Sequence, residues 1–368
     1  MSKEIELKLS LVPEAIEQLE VHPLLQLAQY QGRKHLLNTY FDTPALHLQQ
    51  QRIALRIRQR GPEDFVQTLK TQGSSLGGLS QRGEWEVPLA QPALQLELLP
   101  EGAWPVELKG IKQQLQPAFR TDFQRRQWLL EWQGSRIELV LDQGVIEVGE
   151  QQQPLCEVEL ELLQGQPETL LQLGRQLSDK VALQPCDISK AERGYRLFSQ
   201  QWQPRPLPEP AWAGLSLEQA YQAQLQWLAT RWGQQWQLYL YQPQWQQGQV
   251  LLQLLQQMQH TLEAFTPVLG LAPVSVLQPL RQGLSELQGA LAWRELQQQW
   301  QLPDSHPLVQ SGQQLVQQRL QELNLALWPG QLLLGLQSWL YSRGWQEQLS
   351  EEQHRLCQAP LLSSQALG

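Results

Sequence analysis

The chain has 368 residues, with 28 Lys and Arg against 36 Asp and Glu, a formal net charge of −8 and 41% apolar residues. This length and apolar content exclude wholesale disorder and favour two or three domains with packed cores. A pI near 5.4 argues against broad binding to nucleic acids or to anionic membranes.

Cysteine usage and the N-terminal sequence bear on the compartment. Cys156, Cys186 and Cys357 form neither a disulfide framework nor a zinc-binding spacing, which favours a reducing compartment. The start, MSKEIELKLS, has no apolar core of signal-peptide type, and no run approaches the roughly 20 apolar residues that cross a bilayer. We therefore expect a soluble, cytoplasmic protein with neither a membrane nor a nucleic acid as its partner.

Strand-like patterns dominate the first 200 residues. Five segments alternate apolar with charged residues, as half-buried strands do: EIELKL from Glu4, IALRIR from Ile53, EWEVPL from Glu84, RIELVLD from Arg136 and EVELEL from Glu157. Successive side chains of a strand point to opposite faces, so each segment has one charged face and one apolar face. Between two of them, Gly73–Gly83 lacks the Gly-Lys-Ser/Thr ending of a P-loop, and we predict a flexible connection there.

The pattern changes after a proline-rich segment. Gln203–Pro210 carries four prolines, which disfavour a helix, and we interpret residues 203–213 as a linker. Ser216 with Gln219 predicts a capping-box start of a helix. Further on, six apolar residues recur at helical spacing and share one face: Leu251, Leu254, Leu255, Met258, Leu262 and Phe265. Prolines divide residues 214–368 into about five helical stretches, which predicts an all-α bundle.

The charged strand faces carry the chemistry. One strand is basic (Arg56, Arg58), others are mainly acidic, and the first mixes both signs. If the sheet is open, this face is simply solvated. If the sheet closes with the charges inward, each buried charge costs several kcal/mol unless it is paired, hydrated or bound to an ion. Carboxylates that need a hard divalent cation beside Lys and Arg that need an anion are typical of a metal–polyphosphate site.

From these residues, the first part of the chain resembles the CYTH domain family, the triphosphate tunnel metalloenzymes. The resemblance begins with the Glu-x-Glu-x-Lys strand at Glu4–Lys8. Further motifs follow in the family's order: TYFDTP from Thr39, LRIR from Leu55, Lys70, RRQW from Arg125, LDQG from Leu141, CEVELEL from Cys156 and SKAERGY from Ser189. The resemblance implies an α+β fold, with an eight-stranded antiparallel β-barrel tunnel and flanking helices over residues 1–202.

Residues 214–368 are similar to a CHAD domain, a helical module that often follows a CYTH domain. Most of the basic residues that such domains associate with polyphosphate binding are missing here. We therefore expect a structural or interaction role, with a protein or a weakly bound polyphosphate as the partner of this region.

The CYTH resemblance also implies an activity and its residues. It implies metal-dependent hydrolysis of inorganic triphosphate (tripolyphosphate) or another triphosphate, with two Mg²⁺ ions or Mn²⁺ in their place. Eight carboxylates would hold metal: Glu4, Glu6 and Glu159 the first ion, Glu84, Asp142 and Glu157 the second, with Glu86 and Glu138 nearby. Six cations would hold the phosphates: Lys8, Arg56, Arg58, Lys70, Arg125 and Lys190. Lys70 and Lys190 are also the candidate catalytic residues that protonate the leaving group.

Three other functions stay open at this point. Thiamine triphosphatase and class IV-type adenylyl cyclase belong to the same class of enzymes, and the sequence contains no clear pocket for a thiazolium ring or a nucleobase. A non-catalytic module that binds polyphosphate or nucleotides is the third. Such a module has no need of carboxylates for a second metal, so the presence of Glu84, Asp142 and Glu157 favours an enzyme.

Overall fold

A computed structural model describes residues 2–71, 73–100, 102–199 and 206–361. The chain forms two compact units: the first comprises Met1–Leu170 and Cys186–Trp202, and the second comprises Leu171–Pro185 and Gln203–Gly368. The domain limits 1–202, 203–213 and 214–368 stay a prediction. The first three residues of the expected linker, 203–205, lie outside the described residues.

A closed β-barrel forms the first unit. Nine strands lie in its described residues: β1 (Ser2–Leu11), β2 (Gln29–Asp42), β3 (Ala54–Gly61), β4 (Asp64–Lys70), β5 (Ser74–Leu76), β6 (Leu79–Leu89), β7 (Gln116–Trp132), β8 (Ser135–Val148) and β9 (Gln151–Gln164). Eight of them pair in the order β1-β9-β8-β7-β2-β3-β4-β6, and β6 pairs back onto β1. All of these pairings are antiparallel. The predicted eight-stranded barrel is confirmed.

Short helices connect the strands: α1 (Ile16–Glu20), α2 (Pro23–Gln26), α3 (His47–Gln50), and 3-10 segments at Pro13–Ala15, Leu96–Leu98 and Val106–Gln114. The longest connection, which joins β6 to β7, covers part of the barrel's outer face. Trp104 and Leu108 pack against Leu55 and Leu69, which are fully buried and alternate with the charged residues of β3 and β4. With its apolar side chains covered from outside, the barrel turns its charged face inward.

The connection predicted at Gly73–Gly83 is wrong in part. The strand β6 already begins at Leu79, and Ser74–Leu76 forms the short strand β5, which pairs with β6. Glycine and serine in this segment favour a loop by propensity, but pairing with a neighbouring strand overrides that preference.

An apolar cluster fills one end of the barrel interior. Helix α4 (Glu168–Ser178) follows the last barrel strand, and α5 (Lys190–Ser199) packs against β7 and β8. Tyr195 of α5 contacts Phe119 edge to face, with ring centroids 5.0 Å apart. Gly194 makes this approach possible, because a Cβ atom there would lie 2.1 Å from the Phe119 ring. The first residue of α5, Lys190, is thereby held at the inner edge of this cluster, 5.2 Å from the ring of Phe123.

The second unit is mainly helical. Its described residues contain most of α4, the strand β10 (Leu183–Pro185) and seven further α-helices: α6 (Leu217–Tyr241), α7 (Gln246–Leu269), α8 (Val274–Leu291), α9 (Trp293–Gln299), α10 (Pro307–Glu322), α11 (Trp328–Ser342) and α12 (Glu351–Cys357). The capping box of Ser216 and Gln219 is confirmed. The apolar face predicted from Leu251 onward lies on α7 and packs into the core of the helical unit, with Phe265 partly buried at its edge. The count of about five helices was too low, and none of the helices in the described residues is long and apolar enough to cross a bilayer.

Candidate active site

The interior of the barrel contains a cavity of about 250 Å³ with charged walls. Seven cations and seven carboxylates line it: Lys8, Arg56, Arg58, Lys70, Arg82, Arg125 and Lys190, with Glu4, Glu6, Glu84, Glu86, Glu138, Glu159 and Glu161. Twelve of the fourteen predicted site residues are in this lining. The other two, Asp142 and Glu157, are fully buried in the wall beside it.

Strand pairing explains why these side chains meet. Neighbouring residues in the antiparallel register point to the same face of the sheet. Lys8 lies opposite Glu159, Glu4 lies opposite Arg82, and Lys70 lies opposite Glu84. Closure between β1 and β6 therefore brings the acidic and basic strand faces into one enclosure.

Each lysine of the cavity contacts a carboxylate. Lys8 Nζ lies 2.6 Å from Glu159 Oε1 and 3.4 Å from Glu6 Oε1. Lys70 Nζ donates to both carboxylate oxygens of Glu4 at 2.8 Å, and lies 3.2 Å from Glu84 Oε1. These contacts stabilise the charged forms of groups that burial alone would tend to neutralise.

A buried acidic cluster joins the strands β8 and β9. Carboxylate oxygens of Asp142, Glu157 and Glu159 lie within 4.8 Å of one another. Lys190 Nζ contacts all three, at 2.7 Å from Asp142 Oδ2 and 3.1 Å from Glu159 Oε1, and more closely at Glu157. Arg125 makes a bidentate contact with Asp142 at 2.8 and 2.7 Å.

These cations decide the ionisation of the cluster. Burial disfavours the charged form of Glu159, but Lys190, Lys8 and Arg125 together hold the pKa of its carboxyl well below the ordinary value. The pKa of Asp142 is lowered in the same way, against its burial, by Arg125 and Lys190. Asp142 and Glu159 are therefore anionic at neutral pH and lie beside positively charged side chains.

Two arginines of β3 behave differently from the lysines. Arg56 Nη1 donates to the hydroxyl of Tyr40 at 3.3 Å, and its nearest carboxylate oxygen, in Glu84, is 3.9 Å away. Arg58 Nε donates to Asn38 Oδ1 at 2.9 Å, and no carboxylate among the described residues lies within ion-pair distance of it. Burial, with the guanidinium groups of Arg56 and Arg125, lowers the pKa of Arg58 to about 9. This part of the cavity wall therefore has more positive charge than its neighbouring carboxylates neutralise.

Three carboxylates of the lining lack a cationic partner in the described part of the chain. Thr68 donates to Glu86 at 3.3 Å, and Gln127 donates to Glu138 at 2.5 Å. Glu161 lies opposite Glu138 and Glu6 in the strand register. Burial, with Glu4 and Glu138 nearby, raises the pKa of Glu161 to about 7. This part of the cavity wall therefore has more carboxylates than its neighbouring cations neutralise.

Sequence reasoning missed two charged residues of the lining. Arg82 Nη2 lies 2.7 Å from Glu6 Oε1, and together with Lys8 and Lys70 it lowers the pKa of Glu6 to about 2 against the effect of burial. The signal was available, because Arg82 shares its strand face with Glu84. Glu161 was not among the predicted carboxylates, although it continues the alternation of Glu157 and Glu159.

Comparison with known proteins agrees with this architecture. The family model of the CYTH domain matches residues 2–195. The chain belongs to the CYTH domain family. The match ends before the helical unit, so the likeness of residues 214–368 to a CHAD domain stays a prediction.

One curated relative of this CYTH chain is the inorganic triphosphatase of Haemophilus influenzae. The two are 38% identical over 206 residues, which are 55% of this chain and 57% of the relative. The chain thus spans little more than half the length of the curated relative it matches.

Two solved structures resemble the CYTH part at low identity. A putative adenylyl cyclase from Hippeastrum, described as having a dominant triphosphatase activity, is 22% identical and covers 55% of this chain and 98% of its own, with a TM-score of 0.39. The PH1819 protein of Pyrococcus horikoshii OT3 is 18% identical and covers 54% of this chain and 99% of its own, with a TM-score of 0.37. These scores are too low to support an argument about this chain.

Proposed function

We propose that the barrel cavity hydrolyses inorganic triphosphate to diphosphate and phosphate with the help of bound divalent cations. The observation that carries the proposal is the division of the cavity wall: among the described residues, Arg58 has no carboxylate within ion-pair distance, and Glu138 and Glu161 have no cation within ion-pair distance. The curated relative named an inorganic triphosphatase supports the same reaction.

The lysines and arginines of the cavity, called the cationic wall below, would hold the phosphates. The guanidinium of Arg58 has no carboxylate partner in the described part of the chain, and its fork of donors matches the spacing of phosphate oxygens. Asn38 fixes the orientation of Arg58, because its Oδ1 accepts from Arg58 and its Nδ2 donates to Thr121 at 3.0 Å. Lys8, Arg56, Arg82 and Arg125 would contact the remaining oxygens, and this preorganised positive charge stabilises the transition state of phosphoryl transfer.

The carboxylates of the cavity provide the oxygen ligands that a hard divalent cation binds. Carboxylate oxygens are the ligands that Mg²⁺ and Mn²⁺ prefer, and the cluster of Asp142, Glu157 and Glu159 brings three together. Glu4, Glu6, Glu84, Glu86 and Glu138 complete the proposed set for two ions. We add Glu161, whose pKa is raised by burial and by the nearby carboxylates of Glu4 and Glu138. A bound ion would supply charge neutralisation of the phosphate oxygens and a more acidic water.

Lys70 is the better candidate for the proton donor to the leaving diphosphate. Burial opposes protonation of Lys190, but Asp142, Glu157 and Glu159 raise its pKa above the ordinary value. A higher pKa makes Lys190 a poorer acid, and its three carboxylate contacts favour a role in holding the acidic cluster.

The direct test is release of phosphate from tripolyphosphate by the purified protein with Mg²⁺ or Mn²⁺. We expect turnover that needs the metal, with thiamine triphosphate and ATP as poorer substrates at equal concentration and no cyclic AMP formed from ATP. Absence of phosphate release with either metal between pH 6 and pH 10 would refute the proposal. Tight triphosphate binding without turnover would instead support the non-catalytic module.

A further inference from the structure

Lys34 is a cation at the rim of the cavity that the proposed reaction does not use. It lies on β2 directly opposite Arg125 of β7, and paired residues of neighbouring strands point to the same face. Because Arg125 lines the cavity, Lys34 projects from the inner face as well. Its side chain is nevertheless exposed to solvent, so it lies where the interior opens.

A short chain of hydrogen bonds ties Lys34 to the cavity wall. Lys34 Nζ donates to Gln127 Oε1 at 3.2 Å, and Gln127 Nε2 donates to Glu138 Oε1 at 2.5 Å. Glu138 is part of the lining, whereas Gln127 and Lys34 lie beyond it. Lys34 is therefore two hydrogen bonds away from the cavity edge.

The electrostatic state of Lys34 differs from that of the lysines inside. Lys8, Lys70 and Lys190 each contact at least two carboxylates. The described residues contain no carboxylate within ion-pair distance of Lys34, whose side-chain partner is the neutral Gln127. An exposed ammonium group that holds only one amide acceptor still has two protons free to donate to an incoming anion.

The cationic wall continues outward to this residue. Asn38, which orients Arg58, is four residues from Lys34 along β2, about 13 Å at 3.3 Å per residue. Arg125, directly opposite Lys34 on the neighbouring strand, lies close enough to Arg58 for its guanidinium to lower the pKa of Arg58, whereas Leu36 and Phe123 between them are apolar. A phosphate chain whose inner end lies at Arg58 can therefore reach Lys34 only if it continues past the cavity.

We propose that Lys34 is a specificity-determining residue that binds the outer part of linear polyphosphates longer than triphosphate. This inference rests on the proposed function, since it takes the cavity to be the triphosphate site. It predicts that the chain prefers tetrapolyphosphate to tripolyphosphate and that Lys34 accounts for the difference.

The test is calorimetric titration of the full chain with tripolyphosphate and with tetrapolyphosphate, with EDTA present so that binding is measured without turnover. We expect Lys34→Gln to weaken tetrapolyphosphate binding about fivefold, the upper range for an exposed ionic contact, and to leave tripolyphosphate binding unchanged. Lys34→Arg should restore the preference for the longer chain, because it keeps the positive charge.

A matched control is Lys180→Gln, which removes another exposed lysine that is not part of the cavity lining. It should change neither affinity. An equal loss for both polyphosphates in Lys34→Gln, or no loss for either, would overturn the inference even if tripolyphosphate is hydrolysed. Failure of the wild-type chain to bind or hydrolyse tripolyphosphate would refute the proposed function itself.

Discussion

Around the barrel cavity, the buried carboxylates of Glu6, Asp142 and Glu157 lie against lysine and arginine, whereas in the helical unit the buried carboxylate of Glu218 lies among neutral donors. Glu218 accepts from Trp345 Nε1 at 2.9 Å, Gln346 Nε2 at 2.7 Å and Gln358 Nε2 at 3.4 Å. Around it is a core of aromatic and aliphatic side chains that includes the fully buried Trp232 and Trp328.

This difference separates two uses of a buried charge. Neutral donors satisfy one carboxylate and hold the chain segments that carry them, which is a structural role. Opposed charges gathered around a cavity cost desolvation energy that an apolar core of the same size would avoid. Their presence is better explained by ions that enter the cavity than by stability. Substitution of a cavity charge should therefore lower turnover, whereas substitution of Glu218 should lower stability and leave turnover unchanged.

The largest effect on turnover is expected for Glu6→Gln. This change removes a carboxylate that contacts Arg82 and Lys8 and that belongs to the proposed metal set. We expect kcat for tripolyphosphate to fall by at least about 100-fold, as for loss of one preorganised electrostatic contact. Initial-rate assays measure it, with Glu218→Gln as the control that should keep wild-type turnover. Near-normal turnover in Glu6→Gln would show that this carboxylate does not belong to the metal-binding set.

Arg58→Met should separate binding from stability. No carboxylate of the described residues loses its partner, and only the buried Asn38 loses a donor, so the melting temperature should fall by a few degrees at most. KM for tripolyphosphate should rise about 30-fold, equivalent to about 2 kcal/mol for a charged hydrogen bond. Calorimetry and steady-state kinetics give the two quantities. Arg60→Met, which removes an exposed partner of Asp64, should change neither. A lower melting temperature with unchanged KM would make Arg58 structural.

Gly194→Ala tests the apolar end of the barrel interior. The new Cβ would lie 2.1 Å from the Phe119 ring, so α5 or the ring must shift. We expect the free energy of unfolding to fall by about 3 kcal/mol, with loss of turnover because α5 carries Lys190. Chemical denaturation measures the change. Gly233→Ala in α6 is the matched control; it has open space and should stabilise its helix slightly. Equal stability changes in both variants would argue against close packing at Gly194.

Glu218→Leu should have the smallest effect, confined to stability. Trp345 and Gln346 lose their acceptor inside the helical unit, which should lower the free energy of unfolding by about 2 kcal/mol. Turnover of tripolyphosphate should stay at the wild-type level. Glu218→Gln keeps an acceptor oxygen and should recover part of the loss. If turnover falls with stability intact, Glu218 takes part in the activity.

The sequence predicted the inward charges because strand alternation is local. Glu4, Glu6 and Lys8 share a face in any strand, whatever the fold around it. Which cation meets which carboxylate could not be predicted, because the contact of Lys8 with Glu159 depends on the register of β1 against β9, two strands some 150 positions apart.

Other features depend on tertiary packing in the same way. The strand β5 was not predicted because its Gly- and Ser-rich sequence favours a loop, and only its pairing with β6 makes it a strand. The placement of Lys190 depends on how Gly194 lets α5 approach Phe119, and no periodic pattern encodes that approach.

The equal number of cations and carboxylates in the lining has a consequence for folding. Zinc-dependent domains unfold when their metal is chelated, because metal binding supplies much of their folding free energy. Here the opposite charges of the chain itself, such as Lys70 on Glu4 and Lys190 on Asp142, already act as counter-ions. Exhaustive dialysis against a chelator should therefore leave the barrel folded, so that the proposed metal ions could leave and rebind without the scaffold having to refold.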